Sequence, residues 1–450
     1  NPLLNSFVMI TNNPAQLKTI LDNLKVNDLA RETRFSVREA RKTNASALIT
    51  GFFQMVICGK FSLRLWATNV TRLTGSCISF QAIAKKLDYR QESFFHALFQ
   101  KALLTKMDSL NFKVSVLLQS FRRVILEDST CFKLPKGLFD FFPGPRMPHG
   151  RIASARLQLR IDLARHNYDS IAIQSYCQND LSFAEDILKT LKQDDLVIRD
   201  LGYWAVPVFA KIIQLKAFFL SRLKLDVTVF CPSTLHRIDL VTFLQKKEHQ
   251  GIYQVDIPIL LSDRYQLPVR LVAIKLNDEQ TQKRRRMAQN QRHKVYKISD
   301  KAYYLMSWNL FITNVDRKVW DAQSVYKAYN LRWYIEMIFK CWKSNFNLTA
   351  FFKHCYGRNP VKPEIILLLL LTWFVLVYVP RFNSCANTIW RKYQKILSPL
   401  RFADYISTQL QLLLNLNIRK AIPQIAYHCC YDKRKDRLNH FEKTYMNFLS

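Results

Sequence analysis

Residues 365–379 read IILLLLLTWFVLVYV, with no charge in the run. A helix with no polar face must be surrounded by apolar matter on every side, so the segment either lies at the centre of a large core or crosses a bilayer. It is fifteen residues long, short of the roughly 17–25 that a span requires. Pro363 precedes it, and Pro380-Arg381 is expected to close it. A lone span would also be odd in a chain that is otherwise patterned as globular. The expectation is a buried core helix.

The chain around it is strongly basic. Its 450 residues carry 67 Lys+Arg against 34 Asp+Glu, a net charge of +33. Such a field favours a polyanionic partner, nucleic acid or an acidic membrane surface, and is seldom needed by an enzyme of small metabolites. With 49% hydrophobic residues and only 9 Gly and 15 Pro, disorder, collagen and linker-like chains are excluded. The ten cysteines include no CxxC pair, which argues for reduced thiols rather than a disulfide framework. Asn1-Pro2-Leu3-Leu4 has neither the basic nor the long apolar region of a signal peptide. A cytoplasmic location is expected.

Five regions are expected along the chain. Residues 1–110 are mostly helical. Within them 79–103 carry Ile83, Leu87, Phe94 and Leu98 at helical spacing, with a break at Asp88-Tyr89; this fits a helix-turn-helix or an ordinary helical hairpin. Residues 111–223 alternate short β-rich runs with helices: strands at 123–127, 156–163, 170–174, 196–199 and 217–221, and helices at 183–191 and 208–214. Residues 224–307 read as a mainly β insertion ending in a basic arm, Lys283-Arg284-Arg285-Arg286 and Arg292-His293-Lys294. Residues 308–380 resume the α/β rhythm, with a strand at 309–313 and one long helix at 324–345. Residues 381–450 look helical and peripheral.

Two acids fall where strands are expected to end, Asp128 after VILE and Asp200 after LVIR. Alone, each suits a turn or helix cap. As a pair at the carboxyl end of one sheet they suit a divalent ion held beside phosphate. A third acid lies on the long helix in YNLRWYIEMIFKCWK. At about 100° per residue, Tyr329, Arg332, Glu336, Lys340 and Lys343 share a stripe about 80° wide. One carboxylate among two lysines, an arginine and a phenol marks a site more than it marks i,i+4 helix pairing.

The spacing Tyr-x2-Arg-x3-Glu-x6-Lys resembles the signature of transposases of the insertion-sequence-four family. VILEDST and LVIRDLGYW resemble that family's first- and second-Asp strands, and FFLSRLK, WNLFITNV and Phe142-Pro143-Gly144 resemble stretches between its catalytic residues. The resemblance covers roughly residues 110–380. It implies an RNase H-like catalytic core interrupted by a β insertion, with a helical N-terminal DNA-binding domain and a helical C-terminal region. It also implies three metal-binding carboxylates, Asp128, Asp200 and Glu336, holding Mg²⁺ or Mn²⁺, two ions per site. Tyr329, Arg332, Lys340 and Lys343 are then expected on DNA phosphates, as are Arg284, Arg285 and Arg286 of the basic arm. Trp308 falls where some members stack a tryptophan on a flipped base. The implied activity is cut-and-paste transposition of a bacterial insertion sequence. Terminal inverted repeats and target DNA would be the partners, a homodimer would pair the two ends, and the setting would be the nucleoid rather than a membrane. A catalytically inert, transposase-derived DNA-binding protein is the alternative.

Overall fold

The β-rich runs assemble into one sheet. The computed structural model describes residues 14–37, 42–57, 60–106, 116–146, 150–163, 167–291, 298–346, 348–352, 361–415 and 418–431. Its strands are β1 (Arg123–Leu134), β2 (Ala153–Asp162), β3 (Asn167–Ser175), β4 (Asp195–Arg199), β5 (Phe218–Arg222), β6 (Val229–Phe230), β7 (Gln254–Leu261), β8 (Leu267–Lys275) and β9 (Trp308–Thr313). They lie in the order β3-β2-β1-β4-β5-β9-β8-β7-β6. The pairs β1–β4 and β4–β5 are parallel and the others antiparallel. Val124, Ile125 and Leu126 are all buried, as expected of a strand covered on both faces.

Strand alternation sorts the two faces. Val124, Leu126, Leu196 and Ile198 pack with Val325 and Tyr329 on one face, while Ile125 and Val197 pack with Ile187, Tyr203 and Phe209 on the other. The segment at 183–191 is not one helix but a short helix Asp180–Phe183 and a 3₁₀ turn Asp186–Lys189. The insertion also departs from expectation. Its strands extend the central sheet beyond β9, and it includes the helices Leu240–His249, Asp278–Gln291 and Asp300–Leu305. Leu240–His249 buries only Leu240 and Leu244, too few to print a helical period; its clearer mark is Asp239, whose carboxylate accepts from the Val241 and Thr242 N–H groups.

Residues 365–377 are buried without exception. They form the spine of a core shared by N-terminal helices (Phe52, Phe94, Leu98), by β1 and β2 (Phe132, Leu157, Leu159) and by Ile335 and Phe339. By length and apolarity the helical run Val361–Tyr393 could cross a membrane, yet 78% of its most apolar window is buried inside the protein. The run does not stop at Pro380. A π-helical turn, Phe374–Tyr378, precedes a further helix, Val379–Tyr393, in which proline occupies the first turn. A proline there lacks only an N–H that the shifted register leaves unused.

The segment at 79–103 is a helix Phe80–Lys85 capped by Ser79, then a turn opened by Asp88, then a helix Glu92–Lys106. The second helix turns Phe94, Phe95, Leu98 and Phe99 inward. The C-terminal helices Val379–Tyr393, Pro399–Asn415 and Ile418–His428 share a small core of their own, around Phe382, Ile389, Phe402 and Ile425. The eight cysteines among the described residues are unpaired; Cys58 and Cys355 lie outside them.

Candidate active site

Asp128 is inside a strand rather than at its end. β1 runs on to Leu134 because β2 keeps pairing with it, Asp128 opposite Leu159 and Leu134 opposite Ala153. On its other side β1 loses its partner at the Glu127–Arg199 pair, where β4 stops. Asp128 and Asp200 therefore occupy matching positions just beyond the last parallel pair. That is the carboxyl edge, where α/β sheets open a crevice.

The third acid comes from a broken helix. The 324–345 run is a helix Ala322–Asn330, a helix Trp333–Lys340 and a π-helical turn Cys341–Asn345. The single stripe is thus divided among three pieces, but three of its side chains still converge on the crevice. The Tyr329 hydroxyl donates to Asp200 Oδ1 at 3.2 Å. Arg332 Nη1 donates to Asp128 Oδ2 at 3.0 Å, and its Nη2 lies 2.6 Å from Glu336 Oε1. The Ser129 N–H donates to Asp128 Oδ1 at 2.8 Å. Ile335 and Phe339 seat the helix on the core from its other side.

These neighbours set the electrostatics. Burial pushes the Asp128 carboxyl up to about 7, against the pull of Arg332 and the Ser129 N–H, and the carboxylates of Asp200 and Glu336 add to the rise. Burial also raises the Tyr329 phenol, helped by Asp200. Burial alone would lower Arg332; Tyr329, Asp200, Glu336 and Asp128 outweigh it and hold the guanidinium charged. An oxygen-only set of three carboxylates suits a hard divalent cation. In this arrangement the guanidinium lies between Asp128 and Glu336.

The remaining expected residues are more dispersed. Lys340 and Lys343 are exposed, and desolvation lowers the Lys343 ammonium against the pull of Cys131. Trp308 opens β9 opposite Lys275 of β8 and is 1% exposed, in the core. Its indole N–H donates to the Tyr304 hydroxyl at 3.3 Å, and the Lys275 ammonium lies 5.2 Å from its ring. Its faces are thus already covered by protein. Arg284 is turned inward, donating to the carbonyls of Trp308 at 2.9 Å and Met306 at 3.3 Å, and burial lowers its pKa to about 10. Arg285 packs over the Tyr303 ring at 3.9 Å. Lys283 and Arg286 point outward from the helix Asp278–Gln291. Arg292, His293 and Lys294 lie outside the described residues.

Sequence reasoning passed over the charges behind the acids. Glu127 accepts from Arg160 and Arg199 in the interior, and Asp180 accepts from Arg156 at 3.0 Å and Gln158 at 3.1 Å beneath the Asp200 loop. The available signal was a charged residue directly before each Asp, of opposite sign on the two strands. A separate carboxylate–histidine group, Glu92, His96 and Glu364, has ligand atoms within 4.8 Å of one another. It joins the helix Glu92–Lys106 to the long apolar helix.

Residues 119–374, more than half of the chain, match the family of transposase DDE domains. The chain belongs to the DDE transposases. The match contains Asp128, Asp200 and Glu336. The chain is 28% identical over 398 residues to the transposase for insertion sequence element IS231F of Bacillus thuringiensis subsp. israelensis, covering 83% of this chain and 78% of that one. It is 27% identical to the transposase for insertion sequence element IS1151 of Clostridium perfringens, covering 76% and 77%. A looser likeness is to a piggyBac transposase synaptic complex with hairpin DNA, with TM-score 0.38, 10% identity and coverage of 96% and 89%. As a DDE transposase the chain is a DNA-processing enzyme whose family uses divalent metal.

Proposed function

We propose that Asp128, Asp200 and Glu336 are the catalytic carboxylates of this transposase and that together they hold Mg²⁺ or Mn²⁺, two ions per site. The convergence of these acids, from β1, the loop after β4 and the helix Trp333–Lys340, at one sheet edge carries this reading. Bound there, the ions would polarise the scissile phosphate and activate water or a 3′-hydroxyl for in-line displacement. The protein's own part is to hold three acids on a rigid edge, to keep Arg332 and Tyr329 bonded to those acids where an incoming phosphate can take them over, and to bring Lys340 and Lys343 along the strand being cut. The outward cations Lys283 and Arg286 extend that track.

The substrates under this reading are the terminal inverted repeats of an insertion sequence and target DNA. End cleavage is followed by joining of the 3′ ends, with a homodimer pairing two ends in the cytoplasm at the nucleoid. The strand order β3-β2-β1-β4-β5, three antiparallel strands and then two parallel ones, supports an RNase H-like core. Residues 1–110 are the proposed DNA-binding part, 224–307 the insertion and 381–450 the C-terminal region.

The test is end cleavage by full-length protein on a fragment carrying one inverted repeat. Asp128→Ala, Asp200→Ala and Glu336→Ala should each abolish metal-dependent nicking while the fragment is still shifted in gels. Nicking by Asp128→Ala at the normal rate would remove the assignment. Unaltered protein that binds the fragment but never cuts it across a magnesium titration would favour the inert DNA-binding reading.

A further inference from the structure

Behind the two aspartates, on the opposite face of the sheet, lies a row of three buried charges. Glu127 is the register partner of Arg160 on β2 and of Arg199 on β4. Arg160 Nε donates to Glu127 Oε1 at 2.7 Å and Arg199 Nε to Oε2 at 2.6 Å. The side chains are 0%, 2% and 0% exposed for Glu127, Arg160 and Arg199. Arg199 also donates to the Ala184 carbonyl at 2.6 Å, and Arg160 meets Asp186 at 3.1 Å.

Stability alone is a poor reason for such a row. Desolvating buried ions costs about as much as their pairing returns, and an apolar trio of similar volume often serves as well. What a buried ion pair does well is fix register, because any slip leaves a charge unpaired. Register matters here because side chains alternate: a slip of one residue exchanges the two faces of a strand. The parallel pairing of β1 with β4 spans only five residue pairs, Arg123–Asp195 through Glu127–Arg199. Asp128 and Asp200 are the next residue on each strand.

We infer that the Glu127–Arg199 pair, braced by Arg160, is a positioning device that sets the spacing of Asp128 against Asp200 for metal binding. The inference rests on the active-site reading above. The same strands contain a control. At the far end of the pairing, Arg123 Nη2 meets the buried Asp195 Oδ2 at 2.7 Å, with Arg122 also at 2.6 Å. That clamp has similar chemistry with the signs exchanged, four residues from the first.

The experiment is Mn²⁺ binding to the full chain by calorimetry, beside thermal melting without metal. Asp128→Asn defines the signal of the active site, separating it from Mn²⁺ bound elsewhere, such as at Glu92, His96 and Glu364. Glu127→Gln and Arg199→Gln should weaken the Asp128-dependent binding by about tenfold or more, the range seen when groups supporting metal ligands are removed. Asp195→Asn should lower the melting temperature while leaving Mn²⁺ affinity nearly unchanged. Should Glu127→Gln fail to fold, Glu127→Asp keeps the charge but shortens the reach, and it should weaken binding in the same direction. Equal Mn²⁺ affinity in the near-end variant and in Asp195→Asn would overturn the positioning role. An Asp128→Asn protein that binds Mn²⁺ normally would instead overturn the active-site reading itself.

Discussion

Arg332 donates to Asp128 at 3.0 Å across 204 residues of sequence, and it is the cation that most directly opposes the burial of that carboxyl. Replacing it with glutamine should leave Asp128 harder to ionise. Charge-assisted hydrogen bonds contribute about 1.5–3 kcal/mol each, so cleavage at neutral pH should fall about 10–100-fold and recover in part at higher pH. Arg332→Lys should lie between, since a point charge cannot reach both carboxylates as a planar fork does. A pH–rate profile with the same midpoint in both proteins would contradict this.

Proton and metal should compete at Asp128. With its carboxyl pushed up to about 7, Mn²⁺ binding should tighten by up to about tenfold per pH unit below that value and level off above it. The stability effect has the opposite sense. A carboxyl raised in the fold stabilises it below the unfolded value near 3.8, and that contribution is lost as pH rises through about 7. Metal-free Asp128→Asn should therefore show a flatter melting temperature over that window. Melting curves from pH 4 to 8, with parallel titrations, check both signs.

His96 and Glu364 form a second pH-sensitive contact, between an N-terminal helix and the long apolar one. Their hydrogen bond, 2.9 Å, raises the imidazole above its usual value, while burial opposes the rise. The contribution is fully present below about 6.5 and is lost as pH climbs through the raised value. Glu364→Gln should remove most of this dependence, leaving the smaller part that Glu92, 3.5 Å from the imidazole, supplies. Urea midpoints at pH 6 and pH 8 would differ less in the variant than in the parent.

Trp308→Ala should act on stability before it acts on DNA. A buried tryptophan exchanged for alanine costs about 3–5 kcal/mol, and Trp308 is 1% exposed. Trp308→Phe should restore most of that loss. If Trp308→Ala instead melted like the parent and lost only a late step of end processing, the indole would be acting on DNA after a local opening of the core.

Several features were legible from local pattern alone. An uncharged run such as 365–379 has one soluble solution, burial on all sides. Strands at 123–127 and 196–199 follow from runs of branched side chains, and an acid directly after each run marks an edge. The spacing of Tyr329, Arg332 and Glu336 survives a helix break at Leu331–Arg332 because both residues keep right-handed helical backbone angles, and all three side chains still reach the crevice.

Other features depended on contacts between distant segments. Nothing within 123–134 says that β1 continues past Asp128; β2 decides that by pairing with it. Likewise the charge at 283–286 is a uniform run in sequence, yet the fold turns Arg284 in to the carbonyls near Trp308 and leaves Lys283 and Arg286 outside.

The order of residues along the chain sets the chemistry available: an excess of cations suited to a polyanion, and three acids in contexts that run against that excess. Which side chains meet is settled by the folded chain. Register and sheet order are set by long-range pairing, and that pairing puts Glu127 between two arginines on one face and Asp128 beside Asp200 on the other.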